Sequence, residues 1–243
     1  MRSQRYNNVG NSLEVKDEYI DGIGPWQWLK QDFHGWKWPR EDWPYHKEHI
    51  FRYVENRNVV VQAGGLQGMY PRLLAQHFKS VITFEPSLES YKVLELNCRD
   101  CDNIERHWMA LGDREGSVST FVVYSENIGM NKVSEGGNVR QTTVDSMRLK
   151  ECDLIFLDVE GYEYKALKGA YHTINQFKPV LILENNFKEN YTKIIDLVGP
   201  LGYVVVAKYQ NDMVLKCGSS QSSQPYPQYY LSWRPVPEFL YNR

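Results

Sequence analysis

The spacing of apolar positions changes several times along the chain, and each change marks an element. The β-branched run Asn58-Val59-Val60-Val61-Gln62 leads into Ala63-Gly64-Gly65-Leu66-Gln67-Gly68-Met69-Tyr70, after which residues 71–78 carry apolar side chains at helical spacing. This pattern predicts a strand, a tight glycine loop and a helix. Residues 80–84 predict a second strand ending at Glu85-Pro86. Residues 88–98 predict a helix that turns Tyr91, Leu94 and Cys98 toward the sheet. A third strand is expected over 104–110, with a turn at Met109-Ala110-Leu111-Gly112-Asp113. Residues 117–124 alternate as a strand does and should pair with residues 139–144. The Gly- and Asn-rich stretch 125–138 between them is expected to be a loop beside a binding site.

Farther along, Cys152-Asp153-Leu154-Ile155-Phe156-Leu157-Asp158-Val159-Glu160-Gly161-Tyr162 reads as a buried strand that ends in acidic residues and turns at Gly161 into a helix. Residues 179–186 repeat the motif, with Glu184, Asn185 and Asn186 at the strand end. A helix over 191–198, a strand over 203–207 and a last strand over 213–217 complete the alternation. Helices and strands in this order predict an α/β fold with a mostly parallel sheet. Such sheets bind ligands outside the carboxyl ends of their strands.

Upstream of this unit, residues 26–45 hold five of the seven tryptophans. They are expected to cap one face of the sheet or its helices. The sharper reading is a surface on which rings interleaved with His34, Lys37 and Arg40 stack on sugars or unpaired bases. Residues 46–54 read as a short amphipathic helix. The chain beyond residue 217 begins like a linker and ends rich in Tyr and Pro, which suits docking on this domain or on a partner. The organisation expected is therefore an extension over 1–55, one α/β domain over 56–217 and a tail over 218–243.

Composition narrows the partners. With 243 residues, 42% of them hydrophobic, the chain can bury one full α/β core. A formal charge of −2 gives no basic surplus for duplex nucleic acid or an anionic membrane. No apolar run reaches the roughly eighteen residues of a membrane span, and the first residues lack the apolar core of a signal peptide, so a cytoplasmic protein is expected. Cys98 and Cys101 form a C-x2-C pair without partners at zinc-site spacing, and reduced thiols are the simpler expectation.

The candidate chemistry gathers at the strand ends. Gly64, Gly65 and Gly68 allow positive φ and close approach to a ligand. Glu85, roughly twenty residues beyond the loop, stands where such folds hold ribose hydroxyls. The alternative is that it is solvated or caps the helix that follows. Asp158 and Glu160 are the first candidates for a base, with Glu184 and His172 behind them. Glu160 could instead be a helix N-terminal carboxylate, and His172 a helix-surface residue. Asp158, Glu160 and Glu184 could also bind Mg²⁺, though nothing in their spacing demands it, and no metal is expected.

The glycine loop, Phe84-Glu85-Pro86, Ala110-Leu111-Gly112-Asp113, Thr143-Val144-Asp145, Asp158-Val159-Glu160-Gly161-Tyr162-Glu163 with Leu167-Lys168-Gly169-Ala170, and Leu183-Glu184 together resemble the FkbM family of S-adenosylmethionine-dependent methyltransferases. The resemblance covers about residues 58–206. It implies a Rossmann-like class I fold: a mostly parallel seven-stranded sheet, helices on both faces and an antiparallel last strand. It also implies methylation of a hydroxyl, on a sugar, glycan or other small molecule. Carried over, Gly64, Gly65 and Gly68 would wrap the methionine part of the cofactor. Glu85, followed by Pro86, would hold the ribose, Met109 and Ala110 would flank the adenine, and Asp158 would lie near the reacting centre. Two positions depart from the family's pattern, with Gln62 in place of an Asp and Leu66 in place of Asn or Gly. The Gln62 carbonyl can accept a hydrogen bond from an ammonium but brings no charge, so weaker cofactor binding is expected. The alternative reading is a methyltransferase-like domain kept as a binding or assembly module.

Overall fold

The computed structural model describes residues 12–184 and 188–218. The expected tail, except its first residue Gly218, lies outside them, as do Asn185 and Asn186. The central sheet has seven strands: β3 (Val59–Ala63), β4 (Ser80–Phe84), β5 (Ile104–His107), β10 (Leu154–Leu157), β11 (Val180–Glu184), β12 (Tyr203–Tyr209) and β13 (Asp212–Cys217), in the spatial order β12-β13-β11-β10-β3-β4-β5. All neighbours among β5, β4, β3, β10 and β11 are parallel, whereas β13 runs antiparallel to both β11 and β12. Numbered within the sheet, the six parallel strands follow the doubly wound order 3-2-1-4-5-6, and β13, the last strand among the described residues, is inserted beside the fifth.

Strands buried on both faces explain the unbroken apolar runs of the sequence. Val60, Val81, Leu154, Phe156 and Ile182 point to one face and Val61, Ile82, Ile155, Leu157 and Leu181 to the other. The first face packs α2 (Met69–Leu74) and α3 (Leu88–Asn97), and over them the aromatic extension: β1 (Leu13–Lys16) and β2 (Trp26–Leu29), paired antiparallel, then α1 (Lys37–Tyr45). Trp26, Trp28, Trp36 and Trp43 are all buried, and only Trp38 of this group is exposed, at 46%. The capping expectation describes this segment. The second face packs α4 (Glu163–Lys168), α5 (Tyr171–Phe177) and α6 (Lys188–Val198).

Local expectations shift in three places. The third strand stops at His107, and Ala110–Leu111 (β6) leaves it for a separate four-stranded sheet, in the order β6-β9-β7-β8. There β7 (Gly116–Phe121) pairs with β9 (Val139–Thr142), as its alternation suggests. The stretch 125–138 is not wholly loop, because Lys132–Glu135 (β8) adds a strand on the other side of β7. Finally, 46–53 forms a wide π turn and then a 3₁₀ turn in place of a regular amphipathic helix.

Candidate active site

The strand order reverses between β3 and β10, and a cleft opens outside their carboxyl ends. Gly64, Gly65, Glu85, Pro86, Met109, Ala110, Asp158 and Glu160 all line it. Gly64 has φ +85°, and a Cβ there would lie 1.8 Å from the Asp158 carbonyl oxygen. Only glycine lets the ends of β3 and β10 pass this closely.

Glu85 is held by backbone. One carboxylate oxygen accepts the Leu66 N–H at 2.7 Å and the other the Ser87 N–H at 2.7 Å. Each oxygen keeps a lone pair for a further donor, which suits a pair of ribose hydroxyls. Burial pushes the carboxyl up to about 7, against the pull of the two N–H groups. Beside it the Trp108 indole donates to the Pro86 carbonyl at 2.9 Å and holds the turn that bears Met109.

Two predicted cofactor residues do not reach the cleft. The Gln62 side chain is fully buried. Its Nε2 donates to the Gly64 carbonyl at 2.9 Å, and its carbonyl oxygen accepts from the Thr83 hydroxyl. It therefore braces the glycine loop from below. Gly68, at φ +91°, faces α3, with Leu94 and Cys98 around the place of its absent Cβ. Leu66, the other departure, sits at φ +45°, a strained conformation for a branched residue. In exchange, its side chain packs against the cluster of Leu29, Val93 and Ile128.

At the other wall, carboxylate oxygens of Asp158, Glu160 and Glu184 lie within 4.8 Å of one another. Three half-buried acids this close cannot all ionise. Burial raises all three, followed by Asp212 for Asp158 and by Asp158 itself for Glu160 and Glu184. A hydrogen bond with Glu184 pulls Asp158 back down, whereas Glu184 is pushed well above the ordinary carboxylate range. Oxygen ligands at this separation also suit a divalent cation. Glu160 stands at φ +50°, before Gly161 at φ +94°. This left-handed pair turns the Glu160 carboxylate into the cleft. The turn is clasped by Glu163, whose Oε1 accepts the Val159 and Gly161 N–H groups at 3.2 and 3.1 Å. Glu163 is thus structural, and burial pushes it up to about 7.

Below the cluster lies a pair that the sequence did not single out. His46 is fully buried between the Tyr70 and Phe156 rings, with its Nε2 2.7 Å from Asp212 Oδ2. Asp212 sits opposite Glu184 in the β11–β13 register. His172, by contrast, is exposed on α5 and remote from the cleft lining. The roof comes from the segment between β7 and β8, where Ile128, Gly129 and Asn131 line the cleft together with Lys132 and Val133.

The methyltransferase FkbM domain family matches residues 72–205. Among solved structures, the methyltransferase FkbM from Methylobacillus flagellatus KT superposes with a TM-score of 0.50 at 19% identity, covering 70% of this chain and 46% of that one. The ribosomal protein L11 methylase from Lactobacillus delbrueckii subsp. bulgaricus gives a TM-score of 0.43 at 12% identity over 72% of this chain and 77% of that one. An rRNA methylase from Streptococcus thermophilus gives 0.44 at 13% over 72% and 96%. No curated protein sequence matches the chain. No helix among the described residues is long and apolar enough to cross a membrane. Because the family match spans more than half of the 243 residues, the chain belongs to the FkbM methyltransferase family, with a Rossmann-like class I fold that implies S-adenosylmethionine as cofactor.

Proposed function

We propose that this protein methylates a hydroxyl of a sugar, glycan or other small molecule. The observation that carries the reading is the Asp158 carboxyl, which lines the same cleft as the Glu85 cradle and lies within 4.8 Å of the Glu160 and Glu184 carboxyls. When bound, S-adenosylmethionine supplies a methyl group on a positively charged sulfur. Glu85 would take the ribose hydroxyls, the Gly64–Gly65 backbone the methionine part, and Met109 and Ala110 the adenine faces. The protein's remaining tasks are to align the acceptor oxygen and to receive its proton. Asp158 accepts that proton, and Glu160, fixed by its left-handed backbone, orients the hydroxyl. An oxygen acceptor needs such a base more than an amine does. The acidic cleft and the absence of a basic surplus argue against nucleic acid.

The buried Gln62 favours one further reading, that of a domain retained for binding without turnover, because no charge stands at that strand end to meet an ammonium. One experiment separates the two. Calorimetry with S-adenosylhomocysteine should show micromolar binding, and Glu85→Ala should weaken it at least about tenfold, the loss expected for a charge-assisted hydrogen bond. Absence of binding by the unaltered protein would favour the binding module.

A further inference from the structure

Asp32 lies in the turn after β2, 1% exposed, and does not line the cleft. Its carboxylate nevertheless ties together three segments that are far apart in sequence. Oδ1 accepts the Gly35 N–H at 3.1 Å and the Ile128 N–H at 3.0 Å, and Oδ2 accepts Gln67 Nε2 at 2.6 Å. Gly35 must be glycine for this, since a Cβ would stand 2.3 Å from Oδ2. Gln67, itself fully buried, passes the connection on, its Oε1 accepting the Leu29 N–H at 2.7 Å and its carbonyl accepting Asn97 Nδ2 at 2.7 Å. Gln67 follows directly on Gly64–Leu66, one wall of the cleft, and Ile128 begins the roof, which meets that wall where Leu66 packs with Ile128.

We infer that Asp32 is a positioning residue that fixes the gap between the glycine loop and the Ile128–Asn131 roof, and so sets how tightly the cleft grips its cofactor. A fully desolvated carboxylate is costly to bury unless every oxygen is satisfied, and here three donors from two cleft walls and the aromatic extension satisfy it. Removing it leaves those donors unpaired and frees each wall to move separately. The extension, outside the part of the chain that matches the family, thereby takes part in cofactor binding.

The inference rests on the cleft being a cofactor site, and the test separates the two. Unaltered protein, Asp32→Asn and Asp32→Ala are compared by calorimetry with S-adenosylhomocysteine, by amide hydrogen exchange without ligand, and by thermal midpoint. Asp32→Ala should weaken S-adenosylhomocysteine at least about tenfold and speed exchange at the roof amides 128–131. Asp32→Asn, whose carboxamide oxygen can keep the two N–H contacts, should weaken it less and remain folded. Ile174→Ala, a core cavity on the opposite face, should lower the midpoint and leave affinity and roof exchange unchanged. Affinity within twofold of the unaltered protein for both Asp32 variants, or roof exchange at the unaltered rate, would overturn the inference. If the unaltered protein does not bind S-adenosylhomocysteine, the cofactor reading falls, while the exchange measurement still decides whether Asp32 holds the roof.

Discussion

Single side chains set the pH response of this protein. Glu85 and Glu163 are pushed up to about 7 by burial, and Glu160 is raised by burial and by its acidic neighbours. An acid whose pKa is higher folded than unfolded binds protons more tightly in the folded state, so its favourable contribution is lost as pH rises through the folded value. Acids held low by ion pairs, such as Asp21 and Glu135, act only below the ordinary carboxylate range, and His77, lowered by burial, acts only below about its ordinary 6.5. Between pH 6.5 and 8.5 the raised acids therefore govern, and the thermal midpoint should fall across that window. Glu160→Gln should raise the midpoint at pH 8.5 by a few degrees, at about 2–4 °C per kcal/mol for a chain of this size, with a smaller effect at pH 6.5. Scanning calorimetry at the two pH values checks this, and an unchanged slope in the variant would show that Glu160 does not titrate there.

At the scale of elements, the passage of β3 beside β10 is the tightest constraint. Gly64→Ala would force a Cβ into the Asp158 carbonyl and a side chain into φ +85°. It should cost at least about 2 kcal/mol of stability, measurable by denaturant unfolding, and should abolish S-adenosylhomocysteine binding. That this glycine mattered was legible in the sequence, because a β-branched run, a glycine turn and a helical period stand in direct succession. The two-sided strands were legible for the same local reason. Strand β8 was not: four half-buried and exposed residues in a Gly- and Asn-rich stretch give no period of their own, and only pairing with β7 makes them a strand. Nor could sequence show that Gln62 turns inward or that His46 meets Asp212, since each depends on a partner brought from another strand or helix.

For the molecule as a whole, the aromatic extension is part of the core. Trp26, Trp28 and Trp43 are buried against helices of the first face, and the Arg72 guanidinium covers the Trp26 ring at 5.2 Å. The insertion of β13 between β11 and β12, with Asp212 reaching back to His46, 166 residues earlier, has a consequence for synthesis. The sheet keeps a gap between its fifth and sixth parallel strands until the final hairpin has left the ribosome, and contacts of such long separation form slowly. A ribosome-arrested chain with residues up to about 205 exposed should thus remain sensitive to pulse proteolysis, while one exposing residue 218 should become resistant in a single step. Strand β13, made late, would be the one that locks the His46 segment in place.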